Sequence, residues 1–292
     1  MALRIPIAIS KGIIRFLTKH PRQVIYVLIG VTVIASYMVN ISLSFEPSPL
    51  AQKVYDKVDS LKPGDHVLLS FDYDPSSEAE LQPMALAMLR HCFKKGVIPV
   101  VMTHWISGLD LHKMACQEAA ADANSHYNKK IVSGRDYVFL GNRPGWQQLI
   151  LQMNENIRAA FDKDFFDQPT EGMKALEGVT SLKDFELIVN LAAGATVEMW
   201  IAYGSDKVDV PFAAGTTAVS APDLYPWIQS RQLIGFLGGL RGAADYEVML
   251  KYPGRGIRGM PAQSATHVLI VLLILGANVH MFAGRFFGKK KE

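Results

Sequence analysis

Cysteine is nearly missing from this chain: only Cys92 and Cys116 occur, with no Cys-x-x-Cys pair and no Cys/His spacing that would build a metal centre. That scarcity excludes a small disulfide-stapled scaffold. Both cysteines fall in helix-patterned stretches, where they read as small buried apolar groups or, outside the cytoplasm, as a permitted pair. Three catalytic signatures are also missing, since the sequence has no Gly-x-Ser-x-Gly elbow, no phosphate-binding glycine loop and no His-Glu-x-x-His helix. No internal repeat or low-complexity tract is visible. The middle of the chain also lacks a surplus of one charge. The formal net charge is +3, and most of the Lys and Arg excess sits at the two ends. This distribution excludes a nucleic-acid footprint on the middle.

What the chain does have is uninterrupted apolar sequence near each end. Residues 23–45 carry no charged side chain, and the run from Val24 to Ile34 continues to Leu43. Such a stretch is long enough to cross about 30 Å of hydrocarbon as a helix. Its length, and the lack of a small-x-small cleavage site after it, point to an uncleaved signal anchor. Residues 259–284 form a second span around Val268, Leu272 and Leu275. Lys11, Arg15, Lys19 and Arg22 precede the first span, whereas Arg285, Lys289, Lys290 and Lys291 follow the second. The positive-inside rule then predicts an integral membrane protein with both termini cytoplasmic and the middle extracytoplasmic; Arg255 and Arg258 count weakly against it. Residues 1–22 place Ile5, Ile9, Ile13 and Phe16 at helical spacing among basic residues, which predicts an amphipathic helix on the inner membrane surface or a basic tail. Residues 285–292 read as a second basic tail. Asn40 and the pair Asn278 and His280 fall in opposite leaflets, where solvation or contacts between subunits would satisfy them.

Residues 46–258 are long enough for one substantial domain. After the linker Glu46-Pro47-Ser48-Pro49 comes a short helix over 51–61. Apolar runs at 66–71, 97–102, 137–140, 185–191 and 210–214 then alternate with helical patterns at 76–95, 109–127, 146–161 and 196–203. A last helix is predicted over 224–240, continuing toward Leu250. Strands that are apolar on both faces and separated by helices predict an α/β fold: a Rossmann-like doubly wound, mainly parallel sheet, flanked here by two transmembrane helices. Residues 162–184 break the rhythm and predict a long functional or interfacial excursion.

In an open parallel sheet, ligands sit beyond the carboxyl ends of the strands. That rule selects Asp72 and Asp74 after the first strand, His104 after the second, Asn142 after the third, Asn190 to Gly194 after the fourth, and Gly215, Thr216 and Thr217 after the fifth. Asp72 and Asp74, followed by Ser76 and Ser77, suit a divalent cation or a base with a nucleophile. Ordinary turn and helix-cap chemistry is the alternative. His104 suits a general base near neutral pH or a packed imidazole, but no cysteine nucleophile follows a later strand as in a caspase-type protease. Gly235, Gly238, Gly239 and Gly242, three or four apart on the predicted last helix, would make a smooth face for a close partner in the same chain or in a neighbouring copy.

The fragment Asp72-Tyr73-Asp74-Pro75-Ser76, with Thr103 closing the second strand, resembles the opening motifs of haloacid-dehalogenase-like phosphatases. It is also similar to the metal-binding Asp-x-Ser-x-Ser of von Willebrand A domains. The first resemblance implies a further lysine and a late acidic cluster, whereas the fourth strand ends in Asn190-Leu191-Ala192-Ala193-Gly194. The second implies serine where Asp74 stands.

Three functions follow as expectations. The first is a structural or scaffolding subunit that meets the lipid bilayer and assembles with itself or with other membrane protein subunits. A ligand-binding accessory module of a transport or export system is the second. The third is a hydrolase using Asp72, Asp74 and His104. The incomplete catalytic set favours the first, and the cofactor stays open.

Overall fold

The computed structural model describes residues 20–38 and 46–287. Most of the amphipathic segment, Asn40 with the end of the first apolar run, and Lys289 to Lys291 lie outside the described residues. The chain divides into two compact units, residues 1–44 with 259–292, and residues 45–258. In the first, helix α1 (Pro21–Met38) begins on Pro21, where the missing N–H leaves no bond unmade, and none of its residues is buried.

The second unit opens with α2 (Pro49–Asp59), capped by Ser48, whose hydroxyl accepts from the Ala51 N–H. Strand β1 (His66–Asp72) follows, then α3 (Glu78–Lys95), which stops at Gly96 in the left-handed conformation. Next come β2 (Ile98–Thr103), α4 (Leu109–His126) and β3 (Val138–Asn142). Helix α5 (Trp146–Glu155) gives way to the single turn α6 (Ile157–Ala160). Strand β4 (Leu187–Ala192) leads into α7 (Thr196–Met199), a π-helical stretch over Trp200–Ser205 and the short α8 (Asp206–Val208). Strand β5 (Phe212–Thr216), α9 (Tyr225–Gln229), β6 (Gly235–Gly238) and α10 (Gly239–Leu250) complete the unit.

The six strands lie in the order β3-β2-β1-β4-β5-β6, and all five pairings are parallel. The order reverses between β1 and β4, because the chain works outward from β1 in one direction and then returns to its other side. Alternation along the strands divides the core between two faces. Val67, Leu69 and Phe71 of β1 pack with α2, α3, α4 and α10. Leu68, with Val100, Met102, Ile188 and Ala192, packs on the other face with α5, Trp200 and Ile201. Ser70 and Asp72 continue the Leu68 row, and Asn190 sits between Ile188 and Ala192. The buried polar residues of β1 and β4 therefore share one face at the carboxyl end.

Three expectations change. The helix over 224–250 is instead β6 followed by α10, because the apolar edge of β5 takes up Gly235 to Gly238 as a sixth strand, pairing Ala213 with Gly235 and Thr216 with Gly238. Gly235, Gly238, Gly239 and Gly242 thus form no single helical face. Each meets its close neighbour in its own chain: a Cβ on Gly235 would lie 2.3 Å from the Leu50 carbonyl oxygen, and one on Gly242 would lie 2.7 Å from the Leu237 carbonyl carbon. The helix over 146–161 breaks at Asn156, whose extended backbone and side-chain oxygen cap the next turn through the Arg158 and Ala159 N–H groups. Residues 162–184 do form a long excursion before β4, anchored by Ala175, Leu176, Val179 and Leu182 in the second-face core and by buried Asp164, which accepts from the Phe166 and Gln168 N–H groups. Cys92 and Cys116 are free and buried, and burial pushes the Cys92 thiol up to about 12.

The final helix, α11, spans Arg255–Phe287. Both α1 and the Arg255–Val279 part of α11 are long and apolar enough to cross a membrane, with mean hydropathies of 1.3 and 1.7. Asn278 donates to the Ile274 carbonyl within α11.

The Leu50 contact makes a checkable statement. Gly235→Ala forces the backbone of α2 away from β6 and should destabilise the chain by about 1–3 kcal/mol, read as a lower thermal midpoint. An unchanged midpoint with altered particle mass would instead mark Gly235 as a contact between copies.

Candidate functional site

The carboxyl end of β1 is organised around one buried carboxylate. Asp72 is fully buried and takes three donors: its Oδ1 accepts from the His104 N–H at 2.7 Å, and its Oδ2 accepts from Ser70 Oγ at 2.9 Å and Asn190 Nδ2 at 2.7 Å. Asn190 Nδ2 also donates to the Ser70 carbonyl, and Asn190 Oδ1 accepts from Thr196 Oγ1 at 3.0 Å. The Asp72 carbonyl accepts from the Ala193 N–H. The Asp72 side chain thereby joins β1, the loop after β2 and β4, and Asn190 carries the connection to the start of α7. Desolvating a carboxylate is costly, and donors from three directions offset that cost.

His104 is 3% exposed, and its ring stands 6.0 Å from the Trp146 ring and 5.8 Å from the Trp200 ring between centroids. Neither ring nitrogen has a hydrogen-bond partner among the described residues. Burial holds the imidazole below its usual pKa, with the Asp72 charge acting in the opposite direction. Asp72 is therefore bound to the main chain of His104 and not to its ring. Beside it, the Trp105 indole reaches across from the β2 loop, so that a Cβ on Gly194 would sit 3.3 Å from its Cζ2. Since β1 lies between β2 and β4, this contact links the loops on either side of β1, where the strand order reverses.

Asp74 belongs to a different environment. It is partly exposed, and its Oδ1 accepts from the N–H and the hydroxyl of Ser76 at 3.0 and 2.6 Å, the turn chemistry that leads into α3. The two aspartates thus have separate partners, and among the described residues no three His, Cys, Asp or Glu side chains gather as a metal site would require. Between them, Tyr73 faces the other way: its hydroxyl donates to Gln82 at 2.6 Å and its carbonyl bonds the His112 ring at 3.1 Å. His112 is pushed down to about 3 by burial.

The other predicted residues divide in the same manner. Asn142 donates to the Thr103 carbonyl and pins β3 to β2. Gly215 allows Leu191 and Met84 to close over β5, where a Cβ would lie 2.5 Å from Leu191 Cδ2. Thr217 donates to Ser220 at 3.3 Å.

Comparison with protein-family models, curated proteins and solved structures finds no match. The local geometry therefore carries the functional argument.

Thr216 lines an open space. It shares a cavity of about 230 Å³ with Gly194, Ala195, Val197, Glu198, Ser220, Asp223 and Leu224, between the loops after β4 and β5. This space is one strand gap away from the reversal of the sheet. Glu198 and Asp223 were not singled out from sequence, since they meet only when α7 and the turn before α9 come together. A second cavity, of about 320 Å³, opens at the amino end of β2, where the Lys129 ammonium is already committed to the Phe93 and Lys94 carbonyls.

If Asp72 is a structural latch, loss of its partners shows first as lost stability. Asn190→Ala removes one donor from the buried carboxylate and strands the Thr196 hydroxyl, and should cost about 2–4 kcal/mol in denaturant unfolding. Thr196→Val should cost about 1 kcal/mol by the same measurement.

Proposed function

We propose that this chain is a membrane-anchored structural or scaffolding subunit. Its Rossmann-like doubly wound domain, residues 46–258, stands outside the cytoplasm between two spans with both termini inside, and it assembles with copies of itself or with other membrane proteins. The single observation that carries this reading is the state of Asp72. The carboxylate best placed for chemistry is fully buried and committed to three donors, and Trp105 from the loop after β2 packs beside Gly194 after β4. Such a centre fixes loops in place and presents nothing to a substrate.

Further support comes from the strand order β3-β2-β1-β4-β5-β6, which is that of doubly wound nucleotide-binding sheets, and from the basic residues outside the two apolar helices. The loops after β2 and β5 also expose Ile106 and Val219, and Tyr225 is exposed at the start of α9, which suits contact with another protein surface. A scaffold uses such a rim without needing a reactive group.

A second reading, a ligand-binding accessory module, draws support from the cavity at Thr216. The hydrolase reading draws less, because Asp72, Asp74 and the His104 ring have separate hydrogen-bond environments.

Mass photometry of the detergent-extracted chain tests the assembly. The expected particle contains more than one 32.3 kDa chain. A single-chain particle at every protein concentration would remove the support for a self-assembling scaffold.

A further inference from the structure

We infer that the cavity between the loops after β4 and β5 binds a small organic ammonium ion, a primary amine carrying a short alkyl group. This goes beyond the scaffolding role and does not depend on it.

The charge of the cavity is one-sided. Glu198 and Asp223 contribute two carboxylates, and none of the residues lining it is Lys, Arg or His. Glu198 Oε2 is buried and has no hydrogen-bond partner. A buried carboxylate oxygen ordinarily has donors, so this one is missing its complement. Thr216 gives a second, independent indication: it is 2% exposed, it lines the cavity, and its hydroxyl takes part in none of the hydrogen bonds among the described residues. Its oxygen is thus available to a guest and to no protein group.

The shape of the unmet demand selects the ligand. An ammonium group carries three donors and no acceptor, which matches two carboxylates and a hydroxyl oxygen. Val197 and Leu224, 1% and 3% exposed, supply apolar wall for a short alkyl group. A divalent cation suits the cavity less, because hard cations take six or more oxygens and no group of three metal-binding side chains occurs among the described residues. Size sets the upper limit. Pockets for drug-sized ligands run from about 300 to 1,000 Å³, so a space of about 230 Å³ fits a guest of only a few heavy atoms.

Calorimetric titration of n-butylammonium chloride into the full detergent-solubilised chain tests this, with n-butanol as the neutral control and magnesium chloride as competitor. The expected result is saturable binding of the ammonium ion alone, weakened about tenfold or more by Glu198→Gln, since one charged hydrogen-bond pair is lost. The E198Q chain should keep or raise its thermal midpoint without ligand, because the substitution removes a buried unpaired charge. D223N, at an exposed position, should weaken binding in the same direction even if E198Q does not fold. Absence of saturable binding, equal affinity for the alcohol, displacement by magnesium, or undiminished affinity in E198Q and D223N would each overturn the inference. Particle mass is read without the amine, so failure of this site and failure of the scaffolding role are separate results.

Discussion

A carboxylate taken out of water must be compensated, and in this domain the compensation for Asp72 fixes the carboxyl end of the sheet. Its three donors come from β1 itself, from the main chain after β2 and from β4. Because β1 lies between β2 and β4, a single side chain sets where the two neighbouring loops begin. Asn190 extends the arrangement to α7 through Thr196. Once these loops are fixed, Trp105 comes to rest beside Gly194 and His104 is enclosed between Trp146 and Trp200. Asp72, His104 and Trp105 thus pack at the point where such a sheet would bind a ligand. The next gap, between the loops after β4 and β5, holds an open cavity.

This displacement separates two properties that one crevice would otherwise combine. Rigidity belongs to the reversal point, where buried Asp72 and Asn190 bond partners on β1, on β4 and in the loop after β2. Openness belongs to the cavity, where Glu198 Oε2 and the Thr216 hydroxyl have no protein partner. Neither property requires a catalytic residue.

Much of the fold was legible in the sequence because the strands are apolar on both faces and regularly separated by helices. All five expected strands are present within a residue or two of their predicted limits. The sixth was read as helix because Gly235, Gly238, Gly239 and Gly242 have helical spacing; what decides otherwise is the open edge of β5, a tertiary partner that no local pattern contains. Asp72, His104 and Asn190 were legible as a convergence at the strand ends, and they do converge. Their role was not legible, since the same residues suit a reactive site or a buried latch, and only the direction of each hydrogen bond separates the two. Ser70 offered a missed signal, a hydroxyl in the middle of an otherwise apolar strand. Glu198 and Asp223 gave none, because their relation exists only across two loops.

The most direct test of the latch is hydrogen exchange at the His104 amide. His104 lies just beyond the last residue of β2, and the exposed residues Ile106 and Ser107 follow shortly after. The account predicts that this amide, donating to buried Asp72, exchanges as slowly as the amides within β1 and β2. Exchange at the rate of the Ile106 and Ser107 amides would contradict it, and with it the claim that Asp72 latches the carboxyl end of the sheet.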